Sequence, residues 1–229
     1  MRPDRRTENT QLRSFSSSQN VLNQADGSAT FDLGETSVMV SVLGPVEVPL
    51  RDEKMDEATV EVVVRPSMGV PATKEKLMEQ TLRRAIEPVI LGGMMPRTLI
   101  QIVVQILKDD GSAIAASLNA MSLALVDAGV PMKFMIASMS CMIDRITNEI
   151  VMDPTTKELE NASSVHTFAF DNLSATPNIL LSDSRGDFSQ KQYFECHDKC
   201  LNAVEKVHDF LRMAVNSKKE KEYQQLSNE

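Results

Sequence analysis

Residues 112–127 read SAIAASLNAMSLALVD, and Asp127 is the one charged residue of the run. Small and apolar residues in such continuity, stopped by Gly129 and Pro131, predict a helix that is apolar nearly all round. That helix has no face for water. The rest of the chain must therefore supply layers that enclose it, which restricts the fold to a layered architecture.

The flanking sequence supplies those layers. Residues 28–33 and 36–42 alternate in polarity around Gly34-Glu35 and predict a hairpin, with Gly44-Pro45 as the stop of its second strand. Residues 51–57 (RDEKMDE) are nearly all charged and predict an exposed loop; residues 58–64 predict a strand, and Arg65-Pro66 with Gly69 and Pro71 a second loop. Leu77, Met78, Thr81, Leu82, Ala85, Ile86, Val89 and Ile90 recur at helical spacing and predict a helix over 73–91 that Gly92-Gly93 ends. Thr73 is its expected N-cap, without a capping box because Lys76 stands at the third helical position.

Residues 98–107 alternate only partly, which predicts a strand covered on both faces. A second hairpin is expected from 133–143 and 148–152, then a helical turn from Asp153-Pro154-Thr155, strands at 164–170 and 178–181, and a long helix over 189–215. About seven strands and three main helices in mixed order give a layered α/β (α+β) fold, with mixed sheets around one buried helix and a long C-terminal helix. The expected organisation is a polar arm over 1–25, one domain over 26–215 and a charged, frayed tail over 216–229.

The balance of 24 Lys+Arg against 32 Asp+Glu, net −8, excludes a free-standing polycationic nucleic-acid binder while leaving local phosphate contacts open. No run reaches the ~18 apolar residues of a membrane span. Three cysteines cannot all pair, and the N-terminus carries no signal-like apolar stretch, so a reducing intracellular setting is expected. Cys196, His197 and Cys200 lie within about one helical turn but lack a fourth ligand, and read as core positions rather than a metal site. His166, between Val165 and Phe168, reads as a packed, hydrogen-bonded histidine. No phosphate-loop motif is present. Arg65, Arg83, Arg84 and Arg97 are candidates for contacts with RNA phosphates, set against the simpler reading of solvated residues paired with Glu79 and Glu87.

Several segments together resemble one family. Met1-Arg-Pro-Asp-Arg…Gln11-Leu12-Arg13, Asp26-Gly27-Ser28-Ala29, Gly34-Glu35-Thr36-Ser37-Val38, Gly44-Pro45-Val46-Glu47, Asp110-Gly111-Ser112 and Ala124-Leu125-Val126-Asp127-Ala128-Gly129-Val130-Pro131-Met132 resemble the RNase PH family in order and spacing. Asp153-Pro154-Thr155 and Ser164-Val165-His166-Thr167-Phe168 resemble its branch of eukaryotic RNA exosome ring subunits. The likeness covers essentially residues 1–215.

The resemblance implies a fold used for phosphorolytic 3′→5′ RNA cleavage. Active members orient a phosphate anion against a phosphodiester with an arginine on the first helix and a hydroxyl–arginine pair at the start of the central helix, and carry two acidic residues six apart after the later hairpin. Carried over, the first-helix arginine falls at Gln80 and the pair at Ser112-Ala113, and the acids fall at Leu159 and Val165. An uncharged amide does not replace a guanidinium, and Leu and Val neither move a proton nor bind a metal. The resemblance therefore implies an inert structural ring subunit, with no catalytic residue, cofactor or metal. Its implied partners are other RNase PH-like subunits in a six-membered ring, RNA-binding cap subunits, an associated hydrolytic exonuclease, and RNA as a non-specific ligand. Nucleus, nucleolus and cytoplasm are the implied locations. The alternative is an active phosphate-dependent exoribonuclease, alone or through a site shared with a neighbour.

Overall fold

Ala29, Phe31 and Leu33 are fully buried while Thr30 and Asp32 between them are half-buried, as a strand with one face on a core requires. A computed structural model describes residues 2–4, 6–173 and 177–227. Strands β1 (Phe15–Gln19), β2 (Gly27–Leu33), β3 (Thr36–Glu47), β4 (Thr59–Arg65) and β5 (Thr98–Lys108) form one sheet in the order β1-β2-β3-β5-β4. All its pairs are antiparallel except β4 with β5, which are joined through helix α1 (Thr73–Ile86). Helix α2 (Ala113–Asp127) follows. Strands β6 (Ala137–Asp144), β7 (Ile150–Met152), β8 (Ala162–Phe170) and β9 (Ile179–Gly186) form an antiparallel second sheet in the order β7-β6-β8-β9. The short helix α3 (Thr156–Leu159) lies between β7 and β8, and α4 (Gln190–Ser227) ends the chain.

The helix α2 packs against β2 and β3 of the first sheet and β6 and β8 of the second, and Ala115 through Leu125 are all buried. The enclosed helix expected from the sequence is thus the centre of the fold. Its polar side chains are satisfied from the second sheet: Asn119 Nδ2 donates to the Ser138 carbonyl at 3.1 Å, and Ser122 Oγ to the Ile136 carbonyl at 2.6 Å. Contact with β2 is close enough that a Cβ on Gly27 would lie 2.3 Å from the Ala128 nitrogen. The helix α4 covers β6 and β8, and its Phe210 meets Phe15 and Phe31 at ring-centroid distances of 5.5 and 6.1 Å.

The expected arm over 1–25 is instead tied into the fold. Residues 15–19 are β1, paired with β2, and Arg6 and Arg13 are buried. Polar composition hid this because an edge strand buries only alternate residues, here Phe15, Ser17 and Gln19 in part. Arg5 lies outside the described residues.

Other boundaries also differ. β3 does not stop at Gly44-Pro45; a register shift between Leu43 and Val46 absorbs the proline, which has no N–H to give, and pairing with β5 resumes at Val46 and Glu47. The helix α1 ends at Ile86, short of Pro88, and Gly92–Met94 form a separate 3-10 turn. Its N-cap is Ala72, so Glu75 takes the third position and accepts from the Ala72 N–H at 2.8 Å. β5 buries Ile100, Ile102 and Val104 on one face, whereas Gln101, Val103 and Gln105 on the other are half-buried. β6 begins at Ala137 rather than 133, and β9 runs past the expected end at 181 to Gly186. α4 continues to Ser227, so the described part of the expected frayed tail is helical. Lys218 on that extension bonds Asp127, whose carboxylate also accepts from the Ser28 N–H at 3.0 Å.

Candidate functional site

The N-terminus of α2 opens into a cleft of about 460 Å³ between the β4–α1 loop, the β7–α3 segment and strands β8 and β9. Ser112 is the N-cap and has a left-handed backbone, φ 60° and ψ 25°. Its hydroxyl is buried without a hydrogen-bond partner. Gly111 before it has φ +86°, and a Cβ there would lie 2.5 Å from the Pro154 carbonyl oxygen, so the turn admits only glycine. The Gly111 carbonyl accepts from Thr36 Oγ1 at 2.7 Å, which fixes the turn from β3.

The structure brings Ser112, Ala113, Leu159 and Val165 together as walls of this one cleft, from three separate elements. Gln80 is not among them. It is exposed, about 200° around α1 from Met78, which does face the cleft. The cation that α1 presents is Lys74, one turn before Met78. The position carried over to Gln80 thus lies outside the cleft's lining, and the charge that α1 brings to this wall is a lysine. Arg185 on β9 also borders the cleft and was missed because the strand expected over 178–181 ended short of it.

Three carboxylates border the cleft, and each has a partner. Asp183 accepts from Arg185 Nη2 at 2.8 Å, and Asp109 accepts from the Gly111 N–H at 3.1 Å. The third, Glu75, is engaged with the Ala72 N–H. The floor is a hydroxyl pair, Ser140 and Thr167 at 2.9 Å. The α2 N-terminus, Lys74 and Arg185 suit the holding of an anion. The side chains of Leu159 and Val165 supply no proton acceptor beside it.

The cleft wall carrying Leu159 is anchored by the N-terminal arginines. Arg2 donates to Glu158 at 2.7 and 2.9 Å through Nε and Nη2. Arg6 Nη2 donates to the Asp153 carbonyl at 2.8 Å. Arg13 holds the fully buried Asp153 carboxylate and also donates to the Asp110 carbonyl at 3.1 Å, so it ties the β7–α3 segment to the turn before α2. Burial alone would raise the Glu158 pKa; hydrogen bonds from Arg2 and Thr155 and the Arg2 charge outweigh it and bring the group down to about 2. Glu158 is thus a structural anion. In the sequence these residues read only as part of the polar arm over 1–25.

The four arginine candidates do not form one patch. Arg65 ends β4 at the root of the β4–α1 loop. Arg83 lies 4.0 Å from Glu87 on α1, and Arg97 lies 3.5 Å from Glu53. Arg84 borders a shallow groove with Lys133 and Glu57, near the 51–57 loop at the opposite end of β4 from Arg65.

His166 is fully buried, with Ser184 Oγ at 2.8 Å from Nδ1 and Ser164 Oγ at 3.0 Å from Nε2. Burial holds its pKa below the usual imidazole value. Cys196 and Cys200 face Cys141 in the core, while His197 stacks edge-on to Phe168 and Phe170. A hydrogen bond with Cys141 and burial push the Cys196 thiol up, which makes it inert. Among the described residues no cluster of His, Cys, Asp or Glu could hold a metal ion, and no helix is long and apolar enough to cross a membrane.

Two sheets wrapped on one buried helix, with a cleft bordered by charges of both signs at that helix's N-terminus, define an RNase PH-type protein. Residues 11–131 match the model of the 3′ exoribonuclease family, domain 1, and residues 135–200 match domain 2 of the same family. The chain belongs to this family. It is 37% identical over 201 residues to the exosome complex component RRP46 of Saccharomyces cerevisiae, covering 82% of this chain and 90% of that protein. It is 31% identical over 228 residues to the exosome complex exonuclease RRP46 homolog of Oryza sativa subsp. japonica, covering 93% and 95%. The crystal structure of rice Rrp46 superposes with a TM-score of 0.88 at 31% identity, over 94% of this chain and all of that one. An archaeal exosome core chain shares the fold, with a TM-score of 0.76 at 20% identity over 90% of this chain and 89% of its own.

Proposed function

We propose that this chain is a non-catalytic structural subunit of an RNA exosome core ring. It would pair with other RNase PH-like subunits in a six-membered ring and help thread RNA to a separate hydrolytic nuclease, with RNA-binding cap subunits above. The single observation that carries the loss of chemistry is the pair Leu159 and Val165. Both line the cleft, and the resemblance puts the family's two acids at these positions. A phosphate anion bound at Ser112 would meet methyl groups on that wall, and the carboxylates elsewhere on the cleft, Glu75, Asp109 and Asp183, are engaged with the Ala72 N–H, the Gly111 N–H and Arg185. The loss of the arginine at Ala113 removes a second group that would neutralise charge in the transition state.

Likeness over nearly the whole length to RRP46 proteins of yeast and rice supports the assembly. RNA contact would be local and non-specific through phosphates, with the exposed Arg65, Arg83, Arg84 and Arg97 as the candidate cations. Work in the nucleus, nucleolus and cytoplasm follows from this role. A second reading, a site shared with a ring neighbour, is favoured by the unpartnered Ser112 hydroxyl and by Lys74. Here the chain would hold phosphate while a partner supplied the acids.

The test is reconstitution. The tagged chain, expressed with the other ring subunits of its own organism, is expected to co-purify with them as one ring of fixed stoichiometry. A chain that stays monomeric under those conditions overturns the reading.

A further inference from the structure

The seven residues 66–72 (PSMGVPA) contain no charge, in a chain that is 24% charged, and they sit at the mouth of the cleft. Met68 and Val70 are 88% and 87% exposed. Both roots of the loop are fixed: the Pro66 carbonyl accepts from Gln105 Nε2 at 3.0 Å, and the Ala72 N–H donates to Glu75 at 2.8 Å. Between them Gly69 has φ +86°, and a Cβ there would have nothing within 4 Å. The loop is thus pinned at its ends and unconstrained at its tip.

The cleft beside it needs an apolar cover. Pro66 and Ser67 already form its rim, and Leu159, Val165 and Ile114 are half-buried walls that keep apolar surface open to water. Exposed apolar surface on the loop tip and on the cleft walls is better removed from water by the two meeting. The lining carries both signs, Lys74 and Arg185 against Glu75, Asp109 and Asp183, so the opening has no net preference for a polyanion.

We propose that residues 66–72 are a lid that closes over the cleft, Gly69 supplying the hinge and Met68 and Val70 packing on Leu159 and Val165. The structure holds the open arrangement. Closure covers the N-terminus of α2 and removes the cleft as a binding site for RNA ends or free phosphate. The inference rests on the cleft's shape and lining, and stands whether or not the cleft retains chemistry.

The three native cysteines are fully buried, so introduced thiols are the reactive ones. The full chain carrying Met68→Cys and Leu159→Cys is exposed to mild copper–phenanthroline oxidation, with each single variant as control. A monomeric product that has lost both introduced thiols is expected. Disulfide-linked dimers alone, or two free thiols, overturn the lid; dimers would show that the tip docks on another chain. A second measurement does not depend on Leu159: Val165→Cys is treated with a bulky maleimide, with and without Met68→Asp. The aspartate is expected to speed labelling severalfold by holding the lid open, and equal rates overturn the proposal.

Discussion

Arg13 grips both carboxylate oxygens of Asp153, Nε to Oδ2 at 2.8 Å and Nη2 to Oδ1 at 2.6 Å, across 140 residues of sequence. The pair is buried, and Asp153 has a left-handed backbone at φ 51°. It locks the β7–α3 segment to the turn that sets Ser112, so the N-terminal segment determines the shape of a cleft built from later residues. Removing one member of a buried pair leaves the other charge unpaired, at a cost of about 3–5 kcal/mol. Arg13→Ala and Asp153→Ala are each expected to destabilise the chain by about that amount in urea unfolding. The double variant is expected to lose less than the sum of the two.

Acid sensitivity has a named source in Glu158. Its folded pKa of about 2 lies below the ordinary carboxylate value, so the folded state binds this proton more weakly than the unfolded chain. The stability it contributes is present above the unfolded pKa and is lost as pH falls through about 4.5 towards 2. Glu158→Gln is expected to flatten that part of the stability–pH curve, and Arg2→Ala to return the Glu158 titration, followed by carboxyl NMR, towards the ordinary range.

His166 acts at higher pH. Its pKa is lowered by burial, so acidification protonates the unfolded chain first and stability falls as pH drops below the usual imidazole range near 6.5. In His166→Asn the slope of melting temperature between pH 7 and pH 5 is expected to shrink. An unchanged slope would assign it to other groups.

The free edge of β4 is blunted from within the chain. Glu79 on α1 accepts from the Val64 N–H at 3.0 Å and so occupies a donor that another strand would use. Glu79→Ala is expected to destabilise by about 1 kcal/mol and to increase concentration-dependent association, seen by light scattering.

The parts of the fold legible in sequence were those with a repeating pattern. The apolar run 112–127 and the alternation of 28–33 and 36–42 identified the buried helix and the first hairpin directly. What stayed hidden depended on partners distant in sequence. β1 is polar because only one of its faces meets the core, and Arg2 and Arg13 gain their roles from Glu158 and Asp153, more than a hundred residues away. The site was half legible: the positions of Ser112, Ala113, Leu159 and Val165 converge on one cleft, whereas Gln80 is exposed outside its lining and Lys74 borders it. Which face α1 turns to the cleft depends on its packing against β4, which the sequence of the helix does not give.

The most direct test of an inert cleft is release of nucleoside diphosphate from a 3′-labelled oligoribonucleotide by the purified full chain, with magnesium and inorganic phosphate. We expect none, and none after adding the carboxylates alone as Leu159→Asp with Val165→Asp, because the arginine position at Ala113 remains empty of charge. Phosphate-dependent release by the unaltered chain, abolished by Ser112→Ala or Lys74→Ala, would contradict that reading and make the cleft an active site.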